Sequence, residues 1–515
     1  MKTTVRISIF LITTGALLYS QNPDVKTREM TLQDCVLQAL KKNLDIIVLS
    51  YNPEISEESV REAKGKFYPQ LTFQYQNEDR NQLGAWGVEG TNYTVKGSQF
   101  YMAFNQYIPT GGEISLDFFN STTDSTQALL SLNPHYYSYL RFNIKQPLFK
   151  DFGPKIARWQ IKKAENQRQI SSLDLKATVS QKIFEVDQAY WNLVYAMESL
   201  KVNEISLNNS RLQLEKTQKA YKMGLKSAVD LISAETEVAN WENSVLSSRY
   251  QVDAYELALK KLLNFPTEGP ESDIRIFPSE KPEIKKATLS EREALDTALS
   301  HRPEMGRIQT EINSSQLDIG YYKNQVKPQL DVNFFLSYPG QSGIRYQYLN
   351  DNPFTGIIVD TIEGSRADSI KDIINLKYPN WQIRFDLSLP LQNIFSRAEL
   401  ARAKLQHEQN KAEREKTETM IRFEIKEIFK ELRHNEQRIE SSTEYRKLME
   451  KKLEAETQKF NLGLVGSEWL FSYQRELASA RANEIKALID YKISLAKLGK
   501  ILGINVEDKN LDFVF

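Results

Sequence analysis

Two periodicities run along this chain, and each appears in both halves. The first is alternation. Leu71, Phe73 and Tyr75 alternate with Thr72, Gln74 and Gln76, and Leu140, Phe142 and Ile144 oppose Tyr139, Arg141, Asn143 and Lys145. In the second half Leu330, Val332, Phe334 and Leu336 form one face, and Trp381, Ile383, Phe385, Leu387 and Leu389 form another, opposite Gln382, Arg384, Asp386 and Ser388. These segments predict strands of about 10 residues with one apolar and one hydrophilic face. That is the pattern of a transmembrane β-barrel, and equally of a soluble sandwich with one wet face. Phe100–Ile108 and Ile114–Phe119 flank the turn signal Pro109–Gly112 and predict an additional hairpin. Alternation does not decide whether that hairpin joins a barrel wall or extends it outside the membrane. The segment 339–379 between the second-half strands is polar and rich in Gly, Asn and Asp, as long extracellular loops are.

The second periodicity is helical. From Pro154 to about Lys222 there is no internal Pro or Gly, and the same holds from Arg397 to about Asn461. At 1.5 Å per residue, about 69 residues span on the order of 100 Å. A Gly-containing reversal follows each, then return helices near Ser227–Asn264 and Ser467–Leu502. Ile183, Val186, Tyr190, Leu193, Met197 and Leu200 step by threes and fours. Val238, Trp241, Val245, Val252, Tyr255, Leu259 and Leu262 keep a heptad register, as do Ile421, Ile425, Ile428 and Leu432. Such seams bury one stripe and leave the rest wet.

The two halves repeat each other. The segment from Ala39 to Leu71 recurs 259 residues later as Ala298 to Leu330, with Pro69 matched by Pro328. The reversal around Gly224 recurs 239 residues later around Gly463. The expected organisation is a signal peptide at 1–20, a first repeat at 21–265, a connector at 266–286 and a second repeat at 287–515.

Composition narrows the alternatives. Lys and Arg number 67, as do Asp and Glu, so no basic field points to nucleic acid. Apolar content is 41% with aromatic content of 10%, and the mean hydropathy is −0.50, too polar for a helical membrane protein. Lys2 and Arg6 precede the short apolar run Ile7–Leu18, and Ser20–Gln21 offers a cleavage point, so the chain is expected to be exported. Export and aromatic richness together favour the barrel. The single cysteine, Cys35, is expected as a small buried apolar residue without a disulfide. His135, His301, His407 and His434 lack ligand spacing, and His407 and His434 are expected on a solvated helix face. No phosphate loop, catalytic triad or metal motif appears, so neither enzyme nor cofactor is expected.

Strands too few to close a barrel come from each half. An open sheet edge in lipid leaves backbone groups unpaired, so closure requires several copies.

The duplicated Pro-Gln-Leu segments, the strand ending Gln146–Gly153 and the paired reversals together resemble the TolC-type outer-membrane efflux family across essentially the whole mature chain. The resemblance implies an α+β membrane protein of duplicated strand–long helix–return helix units. It implies a homotrimer whose β-barrel sits in outer-membrane lipid and continues as a periplasmic α-helical barrel. It implies a passive exit duct of a tripartite efflux or type I secretion system, docked to a periplasmic adaptor and an inner-membrane transporter. The positions matching the family's adaptor-contacting hairpin tips are Met223, Gly224, Leu225 and Lys226, and Leu462, Gly463, Leu464 and Val465. A Gly suits such a reversal because it takes positive φ without steric cost, and Ser227 with Asp230 reads as a capping box opening the return helix. The family's gate carboxylate is matched by Asp230 on the first tip. The second tip departs from the pattern: Trp469 stands there, beside Glu468, with Ser472 at the outer position and Val465 replacing the usual Arg. Asp230, Glu468 and Trp469 are therefore the periplasmic gate candidates. The competing expectation is a secreted or periplasmic coiled-coil scaffold with no channel activity.

Overall fold

The computed structural model describes residues 27–83, 92–126, 132–269, 271–283, 289–462 and 464–506. The expected signal peptide and Gly463 lie outside the described residues. In chain order the first half gives β1 (Thr27–Met30), α1 (Leu32–Lys42), α2 (Leu44–Gly65), β2 (Gln70–Leu83), β3 (Asn92–Tyr107), β4 (Glu113–Ser125), β5 (His135–Pro147), α3 (Pro154–Ala157), α4 (Trp159–Lys222) and α5 (Ala228–Leu262). Then follow β6 (Arg275–Pro278), α6 (Glu291–His301), α7 (Pro303–Gln325), β7 (Gln329–Gly343), β8 (Arg345–Tyr348), β9 (Ile358–Ile362), α8 (Arg366–Ile374), β10 (Asn380–Ser388), α9 (Ile394–Asn461) and α10 (Ser467–Leu502). The expected helix from Pro154 is broken once, at Arg158, whose ψ of 8° leaves the helical range. Two compact units form, and each draws on both halves of the sequence.

The first unit comprises Met1–Ser50, Leu175–Pro303 and Glu418–Phe515. Its core is the seam read from the heptads. Ile183, Val186, Tyr190, Leu193 and Leu200 of α4 are buried, with Val245, Val252 and Leu259 of α5. Ile421, Ile425, Ile428 and Leu432 of α9 are buried as well. Tyr190 has no exposed surface; its hydroxyl donates to the Met30 carbonyl at 3.2 Å and accepts from the Glu280 amide at 3.1 Å. Burial pushes its phenol up to about 12. The expected connector contains β6, which pairs in parallel with β1, Ile276 opposite Arg28. Cys35 is fully buried, as expected.

The second unit comprises Tyr51–Asp174 and Glu304–Thr417. Its centre is a six-stranded antiparallel sheet in the order β10-β7-β5-β4-β3-β2. The hairpin β3–β4 is inserted into that sheet between β2 and β5. Its turn needs glycine: Gly111 has φ of 92°, and a Cβ there would stand 2.1 Å from the Asp151 carbonyl oxygen. The segment 339–379 is more structured than its polarity suggests. It holds the end of β7, the β8–β9 ribbon and α8. Helix α8 packs on β7 and β5 through Ser369, whose hydroxyl lies 2.8 Å from that of Ser138. Gly340 permits the approach, since a Cβ there would meet the Ser369 carbonyl oxygen at 1.8 Å.

One expectation is corrected. His407 is buried, not solvated; its Nδ1 sits 2.9 Å from the Ser315 hydroxyl, so α9 turns this face onto α7. His434 is exposed, as expected. Leu193→Ala should cost about 2–5 kcal/mol, because it empties a fully buried side chain from the seam. Circular dichroism through thermal unfolding in detergent checks it, with an unchanged midpoint as the contrary result.

Candidate functional site

Two features are the candidates for a functional site: the hairpin tips of the first unit and the two-faced sheet of the second. At the first tip α4 ends at Lys222 and the chain reverses through Gly224, whose φ is 74°. The Leu225 amide donates to the Ala220 carbonyl at 2.9 Å, closing the helix end. Ser227 then opens α5 with the expected capping box. Its hydroxyl accepts from the Asp230 amide at 3.2 Å, and its own amide donates to the Asp230 carboxylate at 3.1 Å. Met223 and Leu225 are exposed.

The second tip is built differently. Counting back 239 residues aligns Gly466 with Ser227 and Trp469 with Asp230. The N-cap of α10 is Gly466, which makes no side-chain cap, and Trp469 occupies the third helical position. The missing cap is matched by a bond between tips: the Ser467 hydroxyl donates to Asp230 at 3.1 Å. The Lys226 ammonium lies 5.0 Å from the Phe460 ring centre. Deeper in, buried Glu237 accepts from the Trp241 indole at 2.7 Å and pairs with Arg475 of α10. Sequence reasoning missed Ser467, Glu237 and Arg475. The adjacency of a seam Trp to a Glu four residues earlier was the only sign of them.

The structure thus brings Asp230 next to the second tip through Ser467. Glu468 and Trp469 are exposed, and Trp469 stacks on Tyr473 at 6.3 Å. Leu462 and Leu464 are exposed and Val465 half-buried. The Ser227 side-chain and backbone bonds, with smaller help from Ser467 and Lys226, hold the Asp230 carboxyl below its usual range.

The sheet carries opposite chemistry on its faces. One face is apolar in register across all strands: Leu71, Phe104, Leu116, Phe142, Leu336 and Trp381 form a single cross-strand row. Leu71, Phe73, Tyr75, Phe385 and Leu387 are exposed on it. The other face is polar. The Asn143 amide donates to Asp117 at 3.0 Å, Tyr101 donates to the same carboxylate at 3.2 Å, and Lys145 pairs with Asp331 at 3.2 Å. Arg141 lies 4.3 Å from the Tyr139 ring centre. Both Asp117 and Asp331 are buried, whereas the large apolar side chains are not. This inverts the distribution of a soluble sheet. Among the described residues no group of His, Cys, Asp or Glu could hold a metal ion, and no helix is long and apolar enough to cross a membrane.

The folded Asp230 carboxyl titrates below its unfolded value of about 3.9, so its contribution is complete above that value and is lost as pH falls through the lowered one. Asp230→Asn should therefore speed amide exchange at the start of α5 severalfold at pH 7, matching a cap worth about 1 kcal/mol. The difference between the two proteins should shrink as pH falls below the unfolded value. Hydrogen-exchange mass spectrometry reads both, and equal rates at pH 7 would contradict the cap.

The comparisons with known proteins agree with this geometry. The model of the outer membrane efflux protein family matches residues 36–264 and 294–504. No curated protein matches the chain. Among solved structures, the outer-membrane channel OprN is similar with 16% identity and a TM-score of 0.65, over 92% of this chain and 89% of that one. A membrane protein from Pseudomonas aeruginosa gives 15% identity and a TM-score of 0.67, over 92% and 93% of the two chains. The outer membrane protein VceC of Vibrio cholerae gives 14% and 0.62, over 92% and 96%. With two matched segments that take in both long helices and all six strands of the sheet, the chain belongs to the outer membrane efflux protein family and serves as an exit duct in the outer membrane with a periplasmic extension.

Proposed function

We propose that three copies of the chain close into one passive duct, a β-barrel in outer-membrane lipid continued by a helical barrel in the periplasm. The observation that carries this reading is the inverted sheet. A face of exposed Leu, Phe, Tyr and Trp side chains opposite a face of hydrogen-bonded carboxylates, Lys and Arg fits lipid on one side and water on the other. Its outer strands β10 and β2 are exposed edges, which lipid does not tolerate. The chain is read as two tandem repeats, 21–265 and 287–515, joined by 266–286. Each repeat supplies one long helix and one return helix, so twelve helices per trimer meet at the periplasmic mouth.

On this reading the tips around Met223–Lys226 and Leu462–Val465 dock a periplasmic adaptor, which couples the duct to an inner-membrane transporter. The exposed Met223, Leu225, Leu462 and Leu464 suit an apolar contact of that kind. Pump and adaptor select the cargo, because a water-filled duct offers few specific contacts. No catalytic step is assigned to the chain. Asp230 is engaged as a cap and by Ser467, which favours the exposed Glu468 and Trp469 as the residues that narrow the mouth.

Membrane fractionation and mass measurement test the assembly. The protein should require detergent for extraction and then have about three times the mass of the mature chain. Recovery in the soluble periplasm, or a monomeric mass in mild detergent, would contradict it. Single-channel recording tests the mouth. Trp469→Ala should raise conductance at unchanged selectivity if the indoles narrow it by bulk. Glu468→Gln should lower cation preference if the carboxylates line it. No change in either variant places the constriction elsewhere.

A further inference from the structure

The sheet records how far neighbouring strands slide past one another, and this fixes how copies can meet. Across the row named above, Trp381 lies seven residues from the end of β10 at Ser388, whereas Leu71 lies one residue from the start of β2 at Gln70. Both ends lie at the helical side of the sheet, since β10 leads into α9 and β2 follows α2. The ends are therefore displaced by six residues across six strands. Six strands are separated by five steps, so at about 3.3 Å per residue and about 4.8 Å per step that displacement is a tilt of about 40°. Closed membrane barrels tilt by roughly 35–45°. The sheet already has the stagger of a closed wall.

The edges also match each other. The strands alternate in direction, so β2 and β10 run opposite ways, as antiparallel neighbours must. Bringing their helical-side ends level sets Ser388 of one copy opposite Gln70 of the next. In that register three apolar residues of β10 meet three of β2 on the same face, and the fourth, Trp381, meets Asn77. Both edges are open: all nine residues of β10 are exposed, as are Leu71, Phe73 and Tyr75 of β2.

We propose that β10 of one copy pairs with β2 of a second copy, with Leu387 opposite Leu71, Phe385 opposite Phe73 and Ile383 opposite Tyr75. Three copies joined this way close a wall of 18 strands, three times the six of the sheet. The inference rests on the three-copy reading above and adds the seam, its register and the strand count. With the level seam as a sixth step for the same six-residue displacement, the closed wall tilts by about 35° and has a backbone diameter of about 34 Å. Barrels of 16–18 strands hold an open aqueous channel. The inserted β3–β4 hairpin thus widens the membrane section of the duct, since it supplies two of each copy's six strands.

Disulfide trapping tests the seam in a Cys35→Ala background. Gln382→Cys is combined with Gln76→Cys, and in a separate protein Ile383→Cys with Tyr75→Cys. Adjacent rows of an antiparallel pair alternate between close and wide Cα separations, so the two designs cover both kinds. Gln382→Cys with Gln74→Cys, or with Glu78→Cys, shifts the register by two residues as a control. Native mass is measured on every variant first. The expected result is a covalent trimer on a denaturing gel, at several-fold higher yield for the in-register designs than for the shifted ones. Native trimers that yield only monomer bands, or that cross-link better in the shifted controls, would overturn the seam. A native mass of one or two chains would overturn the three-copy reading, and with it the 18-strand wall.

Discussion

A β-sheet edge is a row of unpaired amides and carbonyls, and hydrocarbon offers them no partner. In this chain the edge strands β2 and β10 also carry large apolar side chains, so water is a poor environment for them as well. Neither solvent satisfies both the backbone and the side chains of these strands. The proposed pairing with another copy of the chain would satisfy both. Alternation, inverted polarity and strand stagger all follow from meeting that demand.

The helical unit answers a different demand. Long helices with a narrow apolar seam bury one stripe through Ile183, Tyr190 and Leu193 and leave most of their surface polar. That surface stays compatible with water and with neighbouring helices. The two tips differ in how their return helices begin. One return helix begins with a full capping box, and the other begins at a glycine and presents Trp469 where the first has Asp230. The bond from Ser467 to Asp230 lets one carboxylate serve both tips. Trp469 and Glu468 are thereby left out of the capping and stand exposed at the second tip.

Much of this was legible in the chain, because the period of the apolar residues is set by the backbone itself. The six strands, the seam residues, the cap at Ser227 and the reversal at Gly224 all follow local rules. What local rules do not carry was missed or left open. The insertion of β3–β4 into the sheet depends on hydrogen bonds from β4 to β5 and from β2 to β3, beyond the hairpin's own turn. Helix α8 lies in a polar segment and is held by its close approach to Gly340 and by the Ser369–Ser138 hydroxyl pair. His407 sits in a run of charges, and its burial against Ser315 comes from α7, almost a hundred residues earlier. The pairing of Arg475 with Glu237 likewise joins two helices from different halves.

A cryo-electron-microscopy reconstruction of the detergent-extracted or lipid-embedded protein tests the central claim most directly, because it shows what covers the apolar face. The account predicts a closed antiparallel wall with Phe73, Phe142, Phe334 and Phe385 facing the lipid belt and Asp117 and Lys145 facing an aqueous lumen. A particle in which the apolar faces of two sheets pack on each other, with the Asp117 and Lys145 faces turned outward to bulk water, would contradict it.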